Sequence, residues 1–111
     1  MSKHRGRKNK RKELGKANGL ISSLEKMHFE AVLYLSLLEP WDMTDTPLYR
    51  NSTFLKNGSQ NLIDELRTAQ GLSAEQREEF SRIVGASVEQ KKAFELLHTE
   101  LTTRLRGIVY G

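Results

Sequence analysis

There is no cysteine in these 111 residues. Disulfides, thiolate-bound zinc and thiol nucleophiles are therefore excluded. The chain suits a reducing compartment. Prolines number two, Pro40 and Pro47, and both fall in one stretch. The remainder is free to be helical almost throughout. Aromatic residues make up 7% of the chain, and only one of them is a tryptophan. Long apolar runs are also missing. The most apolar stretch, Val32 to Leu38, sits between Glu30 and Glu39 and is too short to cross a bilayer. The N-terminus has neither the apolar core nor the small-residue cleavage site of a secretory signal. These absences predict a soluble intracellular protein with no membrane partner. It would be cytoplasmic, nuclear in a eukaryote, or carried in a virion. The length predicts one domain.

What is present is basic charge concentrated in one place. Residues 1–16 read MSKHRGRKNKRKELGK. Lys3, Arg5, Arg7, Lys8, Lys10, Arg11, Lys12 and Lys16 stand there against Glu13 alone, eight bases to one acid, or +7. The whole chain is +4, so residues 17–111 hold ten bases against thirteen acids, or −3. We expect a basic arm, residues 1–16, disordered or partly helical, ahead of a helical domain, residues 17–111.

After the arm, Leu20, Ile21, Leu24, Met27, His28, Ala31, Leu35 and Leu38 recur at three- and four-residue steps. That is one face of an α-helix, starting near Asn18 or within the arm and ending at Pro40. Between Phe29 and Leu38 nearly every side of this helix is apolar, so it should be buried on all sides. A body this small can hardly surround it, so Phe29, Val32, Leu33, Tyr34 and Leu37, with Trp41, are candidate protein-interface residues. Thr46-Pro47 reads as a cap followed by proline at the first helical position. A short helix from Pro47 to about Lys56 would end at Asn57-Gly58, which could instead turn a hairpin. Ser59 would then cap a helix carrying Leu62, Ile63, Leu66 and Ala69, ending at Gly71. Ser73-Ala-Glu-Gln76 and Ser87-Val-Glu-Gln90 are both capping boxes. The first would open a helix through Phe80, Ile83 and Val84 that ends at Gly85 with positive φ. The second would open a helix carrying Phe94, Leu97, Leu101, Leu105 and Ile108. The fold class is all-α: a small bundle of four helices, or five if Pro47–Lys56 stands alone.

Lys and Arg at the arm's density bind phosphate backbones by neutralisation and counterion release, without reading sequence. The arm has no Phe, Tyr or Trp, which argues against a platform for stacked single-strand bases. Its first apolar residue after Met1 is Leu14, which argues against a lipid-binding helix. Residues Glu79 to Ser87 resemble a helix-turn-helix motif centred on Gly85, but Lys91 stands where that motif wants an apolar residue. Glu25-x-x-His28 and Glu95-x-x-His98 have the spacing of di-iron carboxylate bundles. Both glutamates fall outside the apolar stripes of their helices, whereas a metal in a bundle core needs its ligands inward. No phosphate-binding loop and no nucleophile elbow occurs. The expectation is a non-enzymatic protein without cofactor or metal. It binds DNA or RNA through the arm, and its body dimerises or docks on a larger assembly. Two alternatives are an adaptor or inhibitor acting through the acidic body, and a helix-turn-helix regulator.

Overall fold

The structure is a computed structural model. It describes the backbone of residues 2–110 and the side chains of residues 12–73 and 75–108. Three helices account for nearly all of it: α1 (Ser2–Leu38), α2 (Pro47–Gln70) and α3 (Arg77–Tyr110). Short 3-10 turns at Glu39–Trp41 and Ala74–Gln76 join them. No strand occurs among the described residues. The all-α class holds, but the bundle has three helices where four or five were expected.

Contacts define the topology. Asn18 meets Gln70, Glu25 meets Arg67 and His28 meets Lys56, so α1 and α2 run antiparallel. Glu30 meets His98 and Tyr34 meets Thr102, so α1 and α3 run parallel. α2 and α3 are therefore antiparallel, and Phe54 of one lies against Phe94 of the other. The chain thus goes up, down and up.

The apolar stripes fill the core as their period predicts. Leu20, Ile21, Leu24, Met27, Ala31, Leu35 and Leu38 of α1 are buried. So are Leu62, Ile63, Leu66 and Ala69 of α2, and Phe80, Val84, Phe94, Leu101 and Leu105 of α3. Thr46 caps α2 as expected. Its Oγ1 accepts from the Tyr49 N–H at 3.2 Å, and Pro47 follows it. Gln76 Oε1 accepts from the Ser73 N–H at 3.2 Å, one half of the first capping box. At the end of α1, Asp42 adopts the left-handed conformation, φ 57°. The Met43 N–H then returns to the Leu38 carbonyl at 3.2 Å, closing the helix end.

Two expected breaks are absent. α2 runs straight through Asn57-Gly58, so neither a short helix nor a hairpin forms there. Gly58 serves a different purpose: a Cβ on it would lie 2.8 Å from Cε1 and Cζ of Phe94. Only glycine lets the Phe94 ring of α3 approach the α2 backbone so closely. Likewise α3 continues through Gly85, and no glycine among the described residues has positive φ. The two expected caps lie mid-helix and buried. Ser59 Oγ donates to the Leu55 carbonyl at 2.6 Å, and Ser87 Oγ to the Ile83 carbonyl at 2.7 Å. A serine hydroxyl can satisfy itself on the preceding turn as well as at a helix start. The helix-turn-helix resemblance therefore fails, since that motif needs a turn at Gly85.

Candidate nucleic-acid interface and apolar face

The basic segment is the N-terminal stretch of α1, whose helical backbone begins at Ser2. Lys12 and Lys16 are exposed, beside Arg77 and Glu78 at the start of α3. Lys3, Arg5, Arg7, Lys8, Lys10 and Arg11 lie outside the described side chains. Leu14 packs against the core and Ala17 is wholly buried. Body packing therefore begins within the last turn of the segment.

The body's cations are arranged differently. Arg67 of α2 bonds Glu25 of α1 at 2.9 Å. Arg50 lies 3.7 Å from Asp45. Along α3, Lys91 pairs with Glu95, Lys92 with Glu89 and Arg104 with Glu100, at 3.2, 3.3 and 2.9 Å. Arg82 pairs with Glu79 and holds that carboxyl below its usual range by hydrogen bonding. Such exposed pairs add little stability. They do cancel the field of six of the ten bases behind the arm. Unbalanced positive charge is left at the N-terminal end of α1.

The candidate interface residues divide. Phe29, Leu33, Leu37 and Trp41 are 62, 45, 51 and 60% exposed. Phe29, Leu33 and Leu37, at four-residue steps, form one ridge on the outer side of α1, and Trp41 follows them in the 3-10 turn. Val32 and Tyr34 are half-buried. The expectation that this helix is buried all round is thus incorrect: α2 and α3 cover two sides and leave the third open. Leu37 and Trp41 also flank a small cleft with Leu105 and Ile108 of α3. Elsewhere, Phe54 is exposed but leans on Phe94, with ring centroids 6.1 Å apart, and Leu96 stands alone on the outer side of α3.

Tyr34 belongs to a polar cluster between α1 and α3. Its hydroxyl lies 2.6 Å from Thr102 Oγ1 and 3.4 Å from His98 Nε2, and its ring stacks on His98 at 6.1 Å. His98 Nε2 also meets the Glu30 carboxylate. Burial pushes the Tyr34 phenol above its ordinary value; the Thr102 hydrogen bond opposes this, and the Glu30 charge adds to it. Sequence reasoning missed this cluster, although Glu30/Tyr34 and His98/Thr102 are both four-residue pairs.

The Glu-x-x-His pairs are engaged elsewhere. His28 Nδ1 contacts the Lys56 carbonyl at 2.9 Å, Glu25 holds Arg67, Glu95 holds Lys91, and His98 faces Glu30. No group of three or more His, Asp or Glu side chains converges on a metal-sized site among the described residues. No described helix is long and apolar enough to cross a membrane. Comparison with protein-family models, curated proteins and solved structures finds no match to this chain.

Proposed function

We propose that the protein is a non-enzymatic accessory or structural protein. It would bind nucleic acid through residues 1–16 and use its three-helix body to dimerise or to dock on a larger assembly. The observation that carries this reading is the separation of charge. The arm holds +7 within sixteen residues, whereas six of the body's bases are matched to neighbouring carboxylates. A dense cationic segment on a neutralised body suits a polyanion with regularly spaced charge. Arg5, Arg7 and Arg11 supply forked donors suited to phosphate. Phosphates are common to DNA and RNA, so the proposal covers both.

Affinity for random-sequence duplexes, measured against salt, tests it. If five to seven arm charges meet phosphates, log K falls against log salt with a slope of about −5 to −6. Deleting residues 2–12 should abolish most binding and leave body helicity intact. Unchanged affinity in the deletion would refute the role of the arm.

A second reading, an adaptor or inhibitor acting through the acidic body, draws support from Trp41, which stands exposed beside Asp42 and Asp45. Under that reading, removing the arm leaves the functional contact intact.

A further inference from the structure

The outer side of α1 changes character along its length. Its N-terminal half carries Gly15, Gly19 and Ser22, all exposed. Nothing lies within 4 Å of where a Cβ would stand at either glycine. Its C-terminal half carries the ridge Phe29, Leu33 and Leu37, and Trp41 follows in the 3-10 turn. Charge follows the same polarity. Exposed Lys12 and Lys16 precede the small half and exposed Lys26 stands between it and the ridge, while exposed Glu39, Asp42 and Asp45 lie at the far end, with no base between Glu39 and Pro47.

We propose that this face pairs with the same face of a second copy, the two α1 helices running antiparallel about a two-fold axis near Phe29. The charges choose the direction. A parallel pair would set the two +7 arms side by side and the two acidic turns side by side. An antiparallel pair sets Lys12 and Lys16 of each copy beside the acidic turn of the other. Steric fit follows from the same register: Leu37 meets Ser22 of the other copy, and Trp41 approaches its Gly19. A two-fold interface must be self-complementary in this way, large onto small and plus onto minus.

The area sets the strength. In this register the two α1 helices face each other over residues 21–38, a strip roughly 27 Å long and roughly 10 Å across. That buries about 270 Å² per copy between the helices, below the size of a stable interface and within the range of a weak, transient one. The dimer is therefore reversible. The two arms leave it in opposite directions from points roughly 50 Å apart along α1. The inference deepens the reading that the body dimerises, and it does not depend on the arm binding nucleic acid.

The absence of cysteine makes the register measurable. Ser22 and Ser36 are exposed serines on this face, and the proposed axis brings Ser22 of one copy opposite Ser36 of the other. The full chain carrying Ser22→Cys is mixed with the full chain carrying Ser36→Cys and treated with a short bis-maleimide. The mixture should give a cross-linked dimer, and each variant alone should give little. Within this register, identical sites lie roughly 20 Å apart along the helix. Same-site cross-links dominating at both positions would overturn the antiparallel register. Sedimentation supplies the second arm of the test. The unaltered chain should show a monomer–dimer equilibrium below about 200 µM, and Leu33→Asp should shift it to monomer with unchanged far-UV dichroism. A monomer throughout, or a dimer that survives Leu33→Asp, would overturn the proposal. The nucleic-acid reading is scored separately: Leu33→Asp should keep its affinity for a duplex too short to hold two arms. An unaltered chain that dimerises but binds no duplex would count against the arm alone.

Discussion

Replacing Gly58 and Gly85 by alanine, one at a time, should move stability in different ways. Both glycines sit inside long helices, where glycine costs about 1 kcal/mol relative to alanine. At Gly85 the added methyl meets nothing within 4 Å, so Gly85→Ala should gain close to that full amount. At Gly58 the methyl would stand 2.8 Å from two Phe94 ring carbons. The ring must swing away, yet Phe94 is buried and Phe54 packs beside it. Overpacking of this kind costs about 1–3 kcal/mol. The helix gain offsets part of that cost, so Gly58→Ala should be neutral to destabilising by about 2 kcal/mol. The two variants should therefore differ by about 1–3 kcal/mol, or several degrees in melting temperature for a domain of this size. Urea unfolding followed by far-UV dichroism reads the difference directly. If Gly85→Ala lowers stability, α3 does not run through that position as one helix. If Gly58→Ala gains as much as Gly85→Ala, Phe94 does not approach α2 as described.

Thr46→Ala should cost about 1 kcal/mol, because it frees the Tyr49 N–H at the start of α2. Ser59→Ala should stay within about 1 kcal/mol of the parent, since its hydroxyl only doubles up on a carbonyl of its own helix; the same unfolding assay ranks the two, and a costly Ser59→Ala with a neutral Thr46→Ala would reverse our assignment of cap and interior. Leu101→Ala should cost about 2–5 kcal/mol by opening a cavity in the core, and a smaller loss would show that α3 is loosely held there. The raised Tyr34 value makes a stabilising contribution that is present in full below the unfolded value near 10 and lost as pH rises through the folded one. Tyr34→Phe should therefore lose less stability than the parent between about pH 9 and pH 11, and identical losses would remove Tyr34 from the account.

The apolar stripes were legible because a period of 3.6 survives any bundle arrangement. The helix count was not, and the reason is local. Asn57-Gly58 and Gly85 are punctuation in isolation, each readable as a turn or a stop. Packing overrides them: burial of Leu55, Ser59 and Leu62 carries α2 across the first, and burial of Val84 and Ser87 carries α3 across the second. Ser59 and Ser87 were misread for a related reason. The hydroxyl that accepts an N–H at a helix start can donate to a carbonyl inside one, and sequence does not say which. The arm's charge could be counted directly, and four of the cancelling pairs along α3 follow from three- and four-residue spacing. The pair between Arg67 and Glu25 could not be found that way, because it depends on which face of α2 meets α1.

The outer ridge of α1 raises a sharper question about what sequence encodes. In a three-helix bundle each helix touches two neighbours, so one side of every helix must face outward. On α3 that side is mostly charged, with Glu79, Arg82, Glu89 and Lys92, and the exposed Leu96 stands alone among them. On α1 it carries Phe29, Leu33 and Leu37. Folding this bundle does not require apolar residues there, since the core is complete without them. Leaving several large side chains half wet forgoes about 1 kcal/mol or more apiece relative to burial. An apolar ridge that the fold does not use is best explained by contact with something outside it. That view has a consequence opposite to the one for core positions. Leu33→Asp should leave unfolding free energy, measured in dilute solution, within about 0.5 kcal/mol of the parent, as surface changes do. A drop of several kcal/mol would mean that Leu33 supports the body itself, and the ridge would then be part of the core.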